Sequence, residues 1–327
     1  MLKKLTVQLN SGLLSQFDSD TTFGIFCWRL SHLLGEEKLK EFLDRYLNDN
    51  PVFTISNDLI EVKNTLFFPV PVYIPSVDNS DQSKKEKIGG MLKHKENRTR
   101  NYISLRQLNA FLNGNIEEYS KKEEDLFADE NNLQILSPGY TSELRVGVAI
   151  DRDTSKSKDG QLFSFHPKYL KEGNQIIFLV KIIDQQAFDD FNCEAVLRDV
   201  FETGYGKKKS SGFGQCKVID FKPFDEIKEP ENVNGFISLS NYLPAEDDKI
   251  TSGFYDTKVK YGRLGEVFSL SANPFKQPVL ITGPGSCFKT KETKEWYGRV
   301  TLSGEISPSK PEVIHFGISF SLSALLV

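Results

Sequence analysis

The sequence has no long apolar run. Its longest fully apolar stretch is Ile176–Val180, followed by Lys181. A membrane helix needs about 20 such residues, so none is expected. Met1–Asn10 carries two lysines and no apolar region, so no secretory leader is expected and a cytoplasmic location is. Cysteine is scarce: Cys27, Cys193, Cys216 and Cys287 form no C-x-x-C pair and have no histidine at ligand spacing. This argues against zinc and reads as reduced, buried thiols. No G-x-S-x-G, H-E-x-x-H or G-x-x-x-x-G-K-[ST] occurs, which excludes a nucleophile elbow, a zincin helix and a Walker loop. No metal or cofactor is expected. Charge of one sign is also lacking: 41 Lys+Arg against 45 Asp+Glu leave a net −4.

Aromatic residues are abundant, with 25 Phe and 11 Tyr, and hydrophobic residues make up 39%, so intrinsic disorder is excluded. A chain of 327 residues suits two domains or one elaborated domain. Leu5, Val7 and Leu9 alternate as in a half-buried strand. Ser19 or Asp20 can cap a following helix. Its apolar face would hold Phe23, Phe26, Cys27, Leu30, Leu33 and Leu34, and Gly35 would end it. A second helix carries Leu39, Phe42, Leu43, Tyr46 and Leu47 before Pro51. Ile60 to Pro75 reads as a strand pair lying at an edge because of Pro69, Pro71 and Pro75. The middle of the chain predicts a strand at Arg145–Ile150, a polar loop over Asp151–Gly160 and a buried strand at Ile176–Ile183. A helix with Phe188, Phe191, Ala195 and Val196 and a strand at Cys216–Phe221 follow. Beyond Pro230 the pattern is mostly β. It ends in one alternating strand with Ile314, Phe316, Ile318 and Phe320 on a single face and His315 on the polar one.

The small net charge hides opposed patches. Lys84 to Arg106 has eight basic residues against two acids, a net +6, while Glu117 to Glu130 has a net −5. Residues 76–130 read as an inserted polar lobe, too charged for core, with one basic arm. That arm suits a phosphodiester backbone, with Tyr102 placed to stack on a base. A solvated insertion is the equally ordinary reading.

The densest feature is Gly204-Tyr-Gly-Lys-Lys-Lys-Ser-Ser-Gly-Phe-Gly214. Gly204, Gly206, Gly212 and Gly214 allow close backbone approach, Lys207, Lys208 and Lys209 add charge, and Ser210 and Ser211 add hydroxyls. This composition fits a phosphate-rich ligand. The loop follows a helix and precedes a strand, so it is not a dinucleotide fingerprint, and a flexible surface loop is the plain alternative. Catalytic groupings are few. His32, His94, His166 and His315 are scattered. His32 lies off the apolar helix face and is the one candidate general base, though a surface histidine is the commoner case.

Together these segments resemble the RAMP superfamily of CRISPR-associated proteins, and most of all the subunit of type III-A (Csm) effector complexes that holds the guide RNA's 5′ handle. The resemblance rests on Ser19–Trp28 through His32–Gly35, Lys93–Ser104, Arg145–Thr154 with Gly160–Phe163, and the glycine loop Gly204–Gln215. Tyr261–Glu266, Leu270–Lys276 and Gly283–Phe288 complete it. It implies an α+β fold of two ferredoxin-like (RRM-like) domains, residues 1–230 and 231–327, with a basic β-hairpin thumb inserted at about 76–130. It implies a noncatalytic subunit that caps the crRNA 5′ handle. Its partners would be the large palm-domain polymerase-like subunit and the backbone RAMP subunit, with target RNA met only indirectly and no membrane. The implied RNA contacts are Ser19, Thr21, Arg145, Gly204, Gly206, Lys207–Lys209, Ser210, Ser211, Gly212, Phe213 and Gly214. Lys93, His94, Lys95, Arg98 and Arg100 of the thumb would grip the guide. The alternative on the same fold is a metal-independent endoribonuclease that cuts repeat RNA through His32.

Overall fold

The structure is a computed structural model that describes residues 1–73, 102–120, 139–302, 307, 309–310 and 312–327. The first half opens with β1 (Leu2–Leu9), α1 (Ser19–Leu34), α2 (Glu36–Leu47), β2 (Phe53–Ile55), β3 (Leu59–Val62) and β4 (Thr65–Pro69). It continues with β5 (Tyr102–Ser104), α3 (Leu105–Leu112), α4 (Ile116–Ser120), β6 (Tyr140–Ser142), β7 (Arg145–Ile150), β8 (Ser157–Phe165), β9 (Lys168–Leu170) and β10 (Gln175–Ile182). Two helices, α5 (Gln185–Asp190) and α6 (Cys193–Glu202), precede β11 (Cys216–Pro223). The remainder is β12 (Gly235–Ser238), β13 (Ile250–Phe254), β14 (Thr257–Lys260), β15 (Val279–Thr282), β16 (Cys287–Thr290), β17 (Val300–Leu302), β18 (Ile314–Phe316) and β19 (Ser321–Ala324). The fold is α+β with antiparallel sheets.

β10 explains the layering. Its near-continuous apolar run is buried on both faces. Ile176, Phe178 and Val180 meet α1, α2, α5 and α6, together with Leu5, Val7 and Leu9 of β1. Ile177 and Leu179 meet Ile237, Leu239, Cys287 and Leu322 of the second half. Helices, a first sheet and a second sheet therefore stack in three layers. The first sheet runs β11-β1-β10-β3-β4-β5, with β2 also on β10, and the second runs β13-β16-β12-β19. Taken as β11-β1-β10-β2 and β19-β12-β16-β13, both place their strands in the order fourth, first, third, second.

Several expectations change. Residues 102–120 belong to the core rather than to a polar lobe: Ile103, Leu108, Phe111 and Leu112 are buried, and β5 pairs with β4. Ser104 caps α3 by accepting from Gln107 N–H, and Gln107 returns the bond. Tyr102 is half-buried and its backbone pairs with Pro69, which ends its strand, where a missing donor costs little. Arg106 of the basic arm bonds Glu118 of the acidic stretch. Leu33 and Leu34 are exposed, so the buried face of α1 stops at Leu30. One predicted helix is two, broken where Asn192 takes φ +49°. Asp151–Gly160 is not all loop, since β8 starts at Ser157. The final alternating run is split: Phe316 and Ile318 enter the first core, whereas Phe320 and Leu322 enter the second. His315 is buried, not on a solvent face.

Candidate nucleic-acid interface

The glycine loop is built on a buried anchor. Tyr205 is fully buried, with Phe17 at 4.4 Å and Phe201 at 5.9 Å between ring centres. Its hydroxyl lies 3.0 Å from Thr22 Oγ1. The base of the loop is closed by Tyr205 N–H donating to Gly214 O at 2.7 Å and Gly214 N–H donating to Gly12 O at 2.9 Å. Gly214 has φ +66°, and a Cβ there would stand 1.9 Å from Tyr205 O. At Gly206 a Cβ would stand 2.5 Å from Ser15 Oγ, which accepts Lys207 N–H. Both positions therefore disfavour every other residue type, Gly214 the more strongly because its obstacle is backbone. Lys207, Lys208, Lys209, Ser210, Ser211 and Gly212 are exposed, and Lys209–Ser211 form one tight turn. The loop consumes more backbone donors than its composition suggests: Ser211, Gly212 and Phe213 N–H all bond within it. Among the described residues, Lys208, Lys209 and Ser210 keep N–H groups without backbone partners. These N–H groups and the lysine side chains are what the loop offers an anion.

The β7–β8 hairpin leans on this loop. Lys208 Nζ lies 3.8 Å from the Phe165 ring centre and 4.6 Å from Phe163. Phe165 meets Phe213 edge-on at 5.6 Å. The Arg145 guanidinium lies 5.6 Å from Tyr169 and 5.9 Å from Phe213. Gly147 makes room for Phe163, since a Cβ there would stand 2.7 Å from the ring. Phe163 remains 45% exposed. The loop and hairpin thus form one surface of alternating cations and aromatic faces. Each cation–π contact is worth about 0.5–1 kcal/mol at an exposed site. Phe163, Phe165 and Tyr169 were not among the expected contacts; the period-two pair Phe163-x-Phe165 was the signal for them.

The start of α1 is occupied by the protein itself. Asp18 stands at the cap position without capping the helix, in place of Ser19 or Asp20. Ser19 is fully buried; its N–H donates to Asn57 Oδ1, and its Oγ accepts from Asn241 N–H. Thr21 Oγ1 accepts from Lys260 Nζ. Ser19 is therefore structural, while Thr21 is half-buried and engaged by Lys260. Asp18 receives Lys258 at 3.1 Å and Lys260 at 2.7 Å, and Asp20 receives Lys260 and Asn241. Burial pushes the Asp18 carboxyl up, but Lys260 and Lys258 outweigh it and hold it below the usual range. Nearby, burial pushes Asp58 up to about 6 against the opposing bond from Tyr140 O–H. Nothing in local sequence spacing tied Lys258 and Lys260 to Asp18, some 240 residues away.

Lys93, His94, Lys95, Arg98 and Arg100 lie outside the described residues. His32 is exposed in the last turn of α1, its Nδ1 3.3 Å from Arg29 Nη1, with no second acid–base group in hydrogen-bond contact among the described residues. Also among the described residues, no cluster of three His, Cys, Asp or Glu is arranged to hold a metal, and no helix is long and apolar enough to cross a membrane.

A family model described as CRISPR-associated protein (Cas_Cmr3) matches residues 37–198, just under half of the chain. No curated protein matches the sequence. Among solved structures, a chain of the Csm3–Csm4 subcomplex of the type III-A CRISPR-Cas interference complex is similar, with TM-score 0.61 and 17% identity over 98% of this chain and 99% of that one. A chain of the Csm1–Csm4 cassette in complex with cA4 has TM-score 0.58 and 17% identity over 99% of both chains. The same cassette with pppApA gives TM-score 0.57 and 17% identity, covering 100% of this chain and 98% of that one. At such identities the likeness is one of fold, and it extends over the whole length.

Proposed function

We propose that this chain is a noncatalytic RNA-binding subunit of a type III CRISPR effector complex, of the type III-A (Csm) kind, and that it caps the 5′ handle of the guide RNA in the cytoplasm. The observation that carries the reading is the glycine loop: a rigid, buried base presents three exposed lysines and free N–H groups beside an aromatic hairpin. Phosphates would take Lys207, Lys209 and the turn's N–H groups, and a base would stack against Phe163. The shared strand order of the two sheets supports reading the halves as ferredoxin-like. The full-length likeness to chains of Csm1–Csm4 and Csm3–Csm4 assemblies supports a position between a polymerase-like subunit and a backbone subunit. His32 is given no role, because no second acid–base group accompanies it among the described residues.

Replacing Lys207, Lys208 and Lys209 together with Ala tests this. The triple variant should bind handle RNA more weakly and with a shallower salt dependence. The log–log slope should fall by about 0.7 for each single-strand phosphate that is no longer neutralised. Unchanged affinity and slope would remove the loop from the interface.

A further inference from the structure

Two buried side-chain polar atoms without a partner, Thr301 Oγ1 and His315 Nε2, lie on facing strands. Thr301 pairs with His315 across β17–β18, so both side chains leave the same face of the ribbon. Val300, Ile314 and Phe316 turn the other way, onto the first core. Lys276 reaches the same place. Its Nζ donates to Ile314 O, the carbonyl beside His315, at 2.9 Å. Among the described residues this is the ammonium's one hydrogen bond, and no carboxylate stands at ion-pair distance. An ammonium has three donors, so two remain unused.

The acid that acts on this charge is shared with other donors. Asp20 acts on both Lys276 and His315, but its carboxylate is already bonded by Lys260 and Asn241. Asp18 is likewise taken by Lys258 and Lys260. Both carboxylates are thus engaged by Lys258 and Lys260, and among the described residues Lys276 has no carboxylate of its own at ion-pair distance. Burial lowers the pKa of Lys276, and it lowers His315 to about 4, so His315 is neutral at pH 7 and can donate through Nε2. Water would satisfy the threonine and the histidine but would leave the lysine's charge unanswered. An anion with several acceptor oxygens satisfies all three. Thr301 and Lys276 are half-buried rather than sealed, which leaves a way in.

We propose that Lys276, His315 and Thr301 form a site for a phosphate-type oxyanion. Lys276 supplies the countercharge, and the Thr301 O–H and His315 Nε2–H donate to its oxygens. This site shares no residue with the glycine loop and stands or falls independently of the guide-RNA reading.

The test uses the full chain labelled with ¹⁵N-histidine at pH 7, titrated with inorganic phosphate against chloride at matched ionic strength. The His315 resonance, assigned with His315→Gln, should move saturably with phosphate, and its pKa should rise. Lys276→Met should raise the half-saturating concentration at least tenfold, and Thr301→Val should raise it less. Thermal melts of each variant establish that it is folded. A short single-stranded RNA is then added. Displacement of phosphate assigns the site to a strand phosphate, and no displacement assigns it to the free anion; both keep the proposal. It is overturned if the His315 resonance is the same in phosphate and chloride, or if its phosphate response survives Lys276→Met unchanged.

Discussion

Gly214 and Gly212 stand two residues apart, both at positive φ, yet they meet different surroundings. A methyl at Gly214 strikes the Tyr205 carbonyl, whereas one at Gly212 meets nothing within 4 Å. Gly212→Ala should therefore cost only the left-handed backbone term, about 1–2 kcal/mol. Gly214→Ala should cost clearly more, because backbone cannot move aside as a side chain can. Urea unfolding separates the two, and equal losses would mean that the loop base is not the rigid element described. The sequence shows four glycines without ranking them. Their ranking depends on how the loop closes on itself, which sets Gly214 against the Tyr205 carbonyl, and on Ser15, nearly 200 residues away, which sits against Gly206.

Among the elements, the β7–β8 hairpin joins two features that the sequence presents separately. Its strand residues Phe163 and Phe165 hold Lys208, so loop and hairpin act as one surface. Replacing both phenylalanines with Leu keeps apolar bulk and removes the aromatic faces. RNA affinity should fall, while the salt slope stays near that of the unchanged protein, because stacking releases few counterions. A slope that fell as it does in the triple lysine variant would instead mean that the rings serve only to position Lys208. The helices were more legible than the hairpin. In α1, Phe23, Phe26 and Leu30 share a buried face, as 3.6-residue spacing predicts. Leu33 and Leu34 continue that spacing but are exposed, and periodicity alone does not show where the partner surface ends.

For the whole molecule, Lys260 joins the β14–β15 excursion of the second half to the start of α1 in the first. Lys260→Met should destabilise the chain by about 3–5 kcal/mol, since it leaves Asp18 and Asp20 buried with less countercharge. Asp18 also predicts a pH dependence. Its folded pKa lies below the unfolded value of about 3.9, so its contribution is present above that pH and is lost as pH falls through the folded value. Asp18→Asn should lower stability near neutrality and flatten the acid limb below about pH 4, as read by denaturant midpoints. An unchanged acid limb would show that the lysines do not stabilise the carboxylate. What the sequence by itself determined is local: the buried strand at 176–182, the amphipathic helices, the glycine loop and the mostly β second half. Each follows from side-chain period or backbone freedom within a dozen residues. The tertiary structure alone decided that residues 102–120 are core, that the last alternating run serves two cores, and that Ser19 is shielded from ligand. It also decided that Lys258, Lys260 and Lys276 converge near α1. Those outcomes depend on which surfaces meet across hundreds of residues, and a one-dimensional pattern of polarity carries no information about a partner that distant.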